Sequence, residues 1–256
     1  MLPLASAFVE GHAAGMAAVT VAYERQGDGE PLVLLHGVGD DRRVWGAVAP
    51  LITGRETIAM DLPGFGQSPD LDPAVPRDLD AAVAWMGALF AALGVERPHV
   101  AGHSLGGLIA LRLAQAGRVR SVTALAPAGF WNGAERRYAY AVLALARQSA
   151  ACKAALRAGR TSRLFSGDIR DVPVTIAWGT RDPLLPPWQA ARAKAMIPGA
   201  RLVPLPGCGH VPMADAPELV ARVLRDASRG APAGTDRTGR TGRTDRTDRT
   251  DRTPAG

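Results

Sequence analysis

Hydrophobic positions in this chain gather into short continuous runs set between stretches of helical period. Residues 32–35, 57–60, 98–101, 119–126, 174–178 and Arg201–Leu205 read as strands. Unbroken apolarity is what a parallel strand covered on both faces requires. Residues 16–23 alternate instead and read as an edge strand. Between the runs lie helical patterns. One places Val44, Trp45, Val48 and Leu51 on a single face. A second runs from an N-cap at Asp78 to about Leu93, where Gly94 ends it. Others cover 105–116, Trp188–Met196 and 217 to about 227. Strands alternating with helices at roughly 25–30 residues per unit predict an α/β fold, a mostly parallel sheet with helices on both faces. The alternation lapses over 130–171, where an Ala- and Arg-rich stretch looks helical. It reads as a short helical cap inserted before the strand at Val174.

The 256 residues suffice for one large α/β domain. That domain is expected over 16–229, after an N-terminal leader at 1–15. The leader is apolar but lacks a basic segment, so no signal peptide is read there. No apolar run approaches the roughly 18 residues needed to span a membrane, and a cytoplasmic protein is expected. Cys152 and Cys208 stand far apart with no metal-ligand spacing, as free thiols in a reducing compartment would. The tail from 230 onward is dominated by a near-perfect Arg-Thr-Asp/Gly triplet repeat over 235–253. It has nothing to bury and is expected to be disordered. The formal charge of +6 is split evenly. Seven arginines and four aspartates from Arg229 onward carry half of it. The body holds no basic cluster interleaved with aromatics, so nucleic acid is not an expected partner. In the cap stretch, Arg136, Arg137, Arg147, Lys153, Arg157, Arg160, Arg163 and Arg170 outnumber Glu135, Asp168 and Asp171, and a solvated helix face accounts for them.

The chemistry centres on Gly102-His-Ser-Leu-Gly-Gly107, a G-x-S-x-G pattern set between a strand and a helix. A serine on so sharp a turn needs neighbours without bulk, and Gly102 and Gly106 supply them. The Leu105 N–H, at the helix start, then points towards any oxyanion forming at Ser104.

A serine hydroxyl is a poor nucleophile unless a base takes its proton and a third group orients that base. Of five histidines, His12 lies in the leader, His99 in or just before a strand, and His36 in an early His-Gly turn. His103 adjoins Ser104 but points away from it across the turn. His210, in the glycine-flanked loop after the last strand, is the candidate base. The loop after Ala126 offers no carboxylate before Glu135, whereas Asp182 lies three residues beyond the strand-ending Gly179, so Asp182 is the candidate acid. A plain Asx-turn before Pro183 is the competing reading of Asp182. Ligands of parallel sheets sit at the carboxyl ends of the strands. His36, Gly37, His103, Phe130 and Trp131 follow strands and are candidates to line the pocket.

The order Ser104, Asp182, His210 resembles the triad of the α/β-hydrolase superfamily, and the resemblance extends over about 16–227. It rests also on His36-Gly-Val-Gly39 with Trp45 after it, Asp61-Leu-Pro-Gly-Phe-Gly-Gln-Ser68, Trp178-Gly-Thr-Arg-Asp182 and Gly209-His210. The resemblance implies a second oxyanion donor at the Val38 N–H, two such donors being worth about 3 kcal/mol each. It marks Asp61 as structural, worth about 1–2 kcal/mol if it caps local backbone N–H groups. It implies a serine hydrolase acting on a small ester, thioester or lactone, with no cofactor and no metal. The serine excludes dehalogenase and epoxide hydrolase relatives, which carry aspartate there. A ligand-binding receptor, a carbon–carbon bond hydrolase, an acyltransferase and a cofactor-free haloperoxidase remain as alternatives. The cap is shorter than is usual in the family. Neither substrate identity nor oligomeric state has a readable code.

Overall fold

The computed structural model describes residues 7–146, 165 and 167–229. The tail repeat, Cys152 and most of the second half of the cap stretch lie outside the described residues. Among the described residues eight strands form one sheet: β1 (Ala7–Gly11), β2 (Val19–Gln26), β3 (Glu30–Leu35), β4 (Arg55–Met60), β5 (His99–His103), β6 (Ser121–Leu125), β7 (Val174–Gly179) and β8 (Arg201–Leu205). Their order across the sheet is β1-β2-β4-β3-β5-β6-β7-β8. β1 and β2 pair antiparallel, as do β2 and β4, and every later pair is parallel. The helices are α1 (Leu79–Ala92), α2 (Leu105–Gln115), α3 (Gly133–Ala146), α4 (Trp188–Met196), α5 (Pro212–Asp215) and α6 (Pro217–Arg229).

The continuous apolar strands are explained by two cores, one on each face. Val33 and Leu35 of β3 pack on one side with Val100, Ile176, Leu89 and Leu111. Leu32 and Leu34 pack on the other with Ala101, Ala177, Trp45, Val220 and Leu224. Successive residues point to opposite faces, so a strand that feeds both cores carries consecutive apolar residues.

Three sequence expectations change. Residues 7–11, within the stretch read as a leader, form β1, whose partner is β2. β2 is therefore paired on both sides, and β1 is the edge. Five residues give too little alternation to reveal a strand whose pairing fixes it. The pattern at Val44 to Leu51 is two short 3₁₀ turns, Arg42–Trp45 and Ala49–Leu51, not one helix. Pro50 lacks the N–H a continuous α-helix would use. Trp45 and Val48 are buried all the same. Elsewhere the reading holds closely. Asp78 Oδ1 accepts from the Ala81 N–H at 2.8 Å and caps α1, and Gly94 follows with φ of 68°.

β3 has β4 on one side and β5 on the other. The chain therefore reverses its direction of winding between β3 and β5. Such a switch point opens a crevice beyond the strand ends. His36 and Gly37 leave the end of β3 there, and Ser104 leaves the end of β5.

Candidate active site

Ser104 sits between β5 and α2 with φ of 51° and ψ of −110°, a conformation costly for any residue with a side chain. The surroundings hold it. Its N–H donates to the Leu125 carbonyl at 3.0 Å, and its carbonyl accepts from the Leu108 and Ala128 N–H groups, each at 3.1 Å. Glycine is obligatory beside it. A Cβ on Gly102 would collide with the Gly106 backbone, and one on Gly106 would lie 2.5 Å from the Leu35 carbonyl oxygen. Strand and helix pass too close for either. The Ser104 side chain makes no capping hydrogen bond to α2, so its hydroxyl is not spent on the helix. The residue is recessed, 8% exposed.

Asp182 and His210, the candidate acid and base, meet directly. Asp182 is 3% exposed in the loop after β7. Its Oδ1 accepts from the Leu184 and Leu185 N–H groups at 2.9 and 2.8 Å. The Asx-turn reading is therefore also true, and it orients the carboxylate. Oδ2 is left to accept from His210 Nδ1 at 2.8 Å. A carboxylate accepts, so Nδ1 carries the proton and Nε2 is the basic nitrogen.

His103 is buried with its Nε2 bonded to the His210 carbonyl oxygen at 2.7 Å. The two rings lie 4.8 Å apart. A Cβ on Gly37 would come within 2.9 Å of His103 Nδ1 and 3.1 Å of Ser104 Cβ, so the turn after β3 lies against the nucleophile turn. Val38 follows directly. Leu105 is the first residue of α2, and its N–H has no carbonyl one turn back to bond.

The other pocket candidates separate. His36 is fully buried, its Nε2 accepting from the Leu62 N–H at 2.8 Å and its Nδ1 donating to the Gly37 carbonyl at 2.7 Å. Burial pushes its pKa down. With both nitrogens engaged it pins two loops and presents nothing to a ligand. Phe130 is also buried, its ring 5.3 Å from that of Phe165. Trp131 is partly buried and meets Tyr140 edge-on at 5.9 Å.

Two sets of residues escaped the sequence. The first is a buried ion pair between Asp61 and Arg42. Asp61 also accepts from the Arg42 and Gln67 N–H groups at 2.7 and 2.8 Å. Arg42 reaches on to Glu24 and Gln67 at 2.9 Å each. Nothing in the local pattern joins positions so far apart. The pairing raises the expected cost of Asp61→Asn above that of a lost local cap, to about 3 kcal/mol, because a buried guanidinium loses its charge partner. The thermal midpoint should fall by about 6–12 °C while turnover of the folded protein is kept. A midpoint unchanged within error contradicts this role.

The second set is Glu135, whose signal was available. Asn132 and Glu135 form a capping box. Asn132 Oδ1 accepts from the Glu135 N–H at 2.9 Å, and Glu135 Oε2 accepts from the Asn132 N–H at 2.7 Å. The same carboxylate accepts from Arg192 and from the Trp188 indole N–H on α4, at 2.8 and 2.7 Å. It ties the first cap helix to the body. The Arg192 guanidinium holds the Glu135 pKa at about 2, with help from Trp188 and the Asn132 N–H, against an ordinary value of 4.5. A depressed carboxyl stabilises the fold above its unfolded pKa and loses that contribution as pH falls towards its folded one. Glu135→Gln should therefore lower the thermal midpoint at neutral pH. The gap to wild type should close between pH 4.5 and about 2; a gap independent of pH rules out the ion pair as its source.

Of the cap's basic residues, Arg137 and Arg170 are exposed, as a solvated face requires. Arg147, Lys153, Arg157, Arg160 and Arg163 lie outside the described residues. Cys208 is a free, buried thiol. Among the described residues no three His, Cys, Asp or Glu side chains converge to hold a metal ion. Nor is any helix among them long and apolar enough to cross a membrane. A cleft of about 460 Å³ between Phe90, Gly94, Arg97 and Gly117 opens at the other end of the strands and carries no nucleophile.

A strained serine turn at the switch point of a mostly parallel sheet covered on both faces, with the bonded Asp182 and His210 in the loops after β7 and β8, is the architecture of the α/β-hydrolase fold. Residues 32–223 match the alpha/beta hydrolase family, and the chain belongs to it. It is 28% identical over 234 residues to the dihydrolipoyllysine-residue acetyltransferase component of the acetoin cleaving system of Pseudomonas putida, a match covering 75% of this chain and 61% of that one. Over 97 residues it is 39% identical to the pimeloyl-[acyl-carrier protein] methyl ester esterase of Aeromonas hydrophila, covering 38% of this chain and 36% of the relative. The chain thus spans less than two thirds of either relative. A thermophilic esterase from Thermogutta terrifontis shares the fold with a TM-score of 0.71 and 21% identity, over 89% of this chain and 99% of that one.

Proposed function

We propose that the protein is a serine carboxylic ester hydrolase in which Ser104, His210 and Asp182 act as nucleophile, base and orienting acid. The observation that carries this reading is the 2.8 Å bond from His210 Nδ1 to the buried Asp182, in a loop whose backbone is bonded to the residue before Ser104. His210 Nε2 takes the proton as Ser104 Oγ attacks the acyl carbonyl. The Val38 and Leu105 N–H groups receive the charge that forms on the carbonyl oxygen. Collapse of the tetrahedral species expels the alkoxide, which takes the proton back from His210. Water then repeats the sequence in reverse roles and frees the acid. Asp182 stays ionised and stabilises the imidazolium of each half-reaction.

The substrate is a small ester, thioester or lactone, and the partly buried Trp131 beside Tyr140 offers an aromatic wall. A second reading, acyl transfer to an acceptor other than water, is favoured by the name of the Pseudomonas putida relative. A panel of p-nitrophenyl esters of rising chain length, with product analysis in the presence of an added alcohol, tests both. Free acid as the main product with one preferred chain length supports the hydrolase. Acylated alcohol as the main product supports transfer. No turnover of any ester by folded protein contradicts the proposal and favours a ligand-binding role.

A further inference from the structure

Residue 103 sits at the last position of β5, one peptide bond before the serine. Alternation along the strand sends its side chain to the same face as Ala101, the face also lined by Met213 of α5. His210 lies between β8 and α5, so its loop crosses that face. The meeting of His103 with His210 therefore follows from strand parity, and its chemistry is specific. The acceptor at 2.7 Å is a backbone carbonyl, which cannot donate, so His103 Nε2 must carry the proton. This ring is 1% exposed and lies between the turn at Gly37 and the His210 ring.

The His210 loop has other anchors. Gly209 N–H donates to Asp215 Oδ2 at 2.7 Å, Gly207 N–H to Thr180 Oγ1 at 2.9 Å, and Arg181 N–H to the Cys208 carbonyl at 2.9 Å. These tie the loop to α5 and to the acid's own loop. None of them refers it to the nucleophile. Asp182 fixes the direction of the imidazole, but it sits in the loop after β7, two strands away from β5. The bond from His103 refers the base's backbone to the nucleophile strand itself.

We propose that His103 is a positioning residue, an Nε2–H clamp that sets the distance between the His210 ring and Ser104. The proposal rests on the triad reading above. Misplacing a reacting group by about 1 Å costs up to about a hundredfold, and a single neutral hydrogen bond corresponds to about five- to tenfold. The clamp should fall at the lower end, because Asp182 still holds the ring's other side.

Two variants test it, His103→Leu, which removes the donor, and His103→Gln, which keeps an N–H at similar reach. On the best p-nitrophenyl ester, His103→Leu should lower kcat about tenfold with KM changed less than twofold, and His103→Gln should recover most of the loss. The second readout needs no activity. In protein with ¹⁵N-labelled histidine, the His210 Nδ1–H resonance should broaden or exchange faster in His103→Leu and stay sharp in His103→Gln. If His103→Leu does not fold, the wild-type spectrum decides: His103 protonated at Nε2 supports the clamp, and protonation at Nδ1 overturns it. Wild-type kcat and an unchanged His210 resonance in His103→Leu overturn it. So does an equal loss in both variants. If wild type turns over no ester while the resonances behave as stated, the triad reading fails and the clamp stands as a structural fact.

Discussion

Ser104→Ala should lower ester turnover by about 10⁴–10⁶ while the fold is kept. The loss is large because, in the proposed mechanism, serine, base and acid act as one unit, and removal of the nucleophile leaves only the oxyanion donors and substrate binding. The fold is kept because the hydroxyl caps nothing. Alanine at this position meets the same backbone cost as serine, since φ of 51° strains any Cβ. The bonds that hold the turn are all backbone, from Leu125, Leu108 and Ala128. Circular dichroism and the thermal midpoint should therefore match wild type. A variant with more than a tenth of the wild-type rate contradicts the assignment. A variant that is inactive because it is unfolded would show instead that the serine is structural.

The second large effect is at the acid. Asp182→Asn keeps the size of the side chain and leaves its carbonyl oxygen able to accept from Leu184 and Leu185. The amide then faces His210 Nδ1 as a donor, which favours the tautomer with its proton on Nε2, the wrong nitrogen for a base. Turnover should fall by about 10³–10⁴ near neutral pH. Part of it should return at high pH, where hydroxide takes the serine proton directly. Asp61→Asn is the matched control, because both aspartates are buried and both follow a strand. It should cost stability and spare turnover. If Asp61→Asn kills catalysis in folded protein and Asp182→Asn is mild, the two roles are exchanged.

The layout of the sheet was legible because the sequence carries it locally. A strand that feeds two cores needs consecutive apolar residues, and 32–35 of β3, 100 and 101 of β5 and 176–178 of β7 supply them. The serine turn was legible because backbone contact admits only glycine at 102 and 106. Asp182 and His210 became candidates by asking which strand-end loops offer a carboxylate and an imidazole, and the structure bonds the two. What escaped depends on contacts between distant positions. β1 is a strand because β2 is beside it. Arg42 is buried because Asp61 waits 19 residues on, and Glu135 meets Arg192 across 57. His36 and His103 were placed in the pocket lining because they follow strands, yet both are buried and bonded to backbone. Strand position gives the neighbourhood of a side chain but not which of its two faces is wet.

If Ser104 is an activated nucleophile, as proposed, reaction with a fluorophosphonate probe reads this directly. Intact mass and peptide mapping of the folded protein should show a single adduct on Ser104. The adduct should be absent from heat-denatured protein and from Ser104→Ala, and its formation should slow in Asp182→Asn. Folded wild-type protein that takes no adduct, or takes it at another residue, would contradict the account.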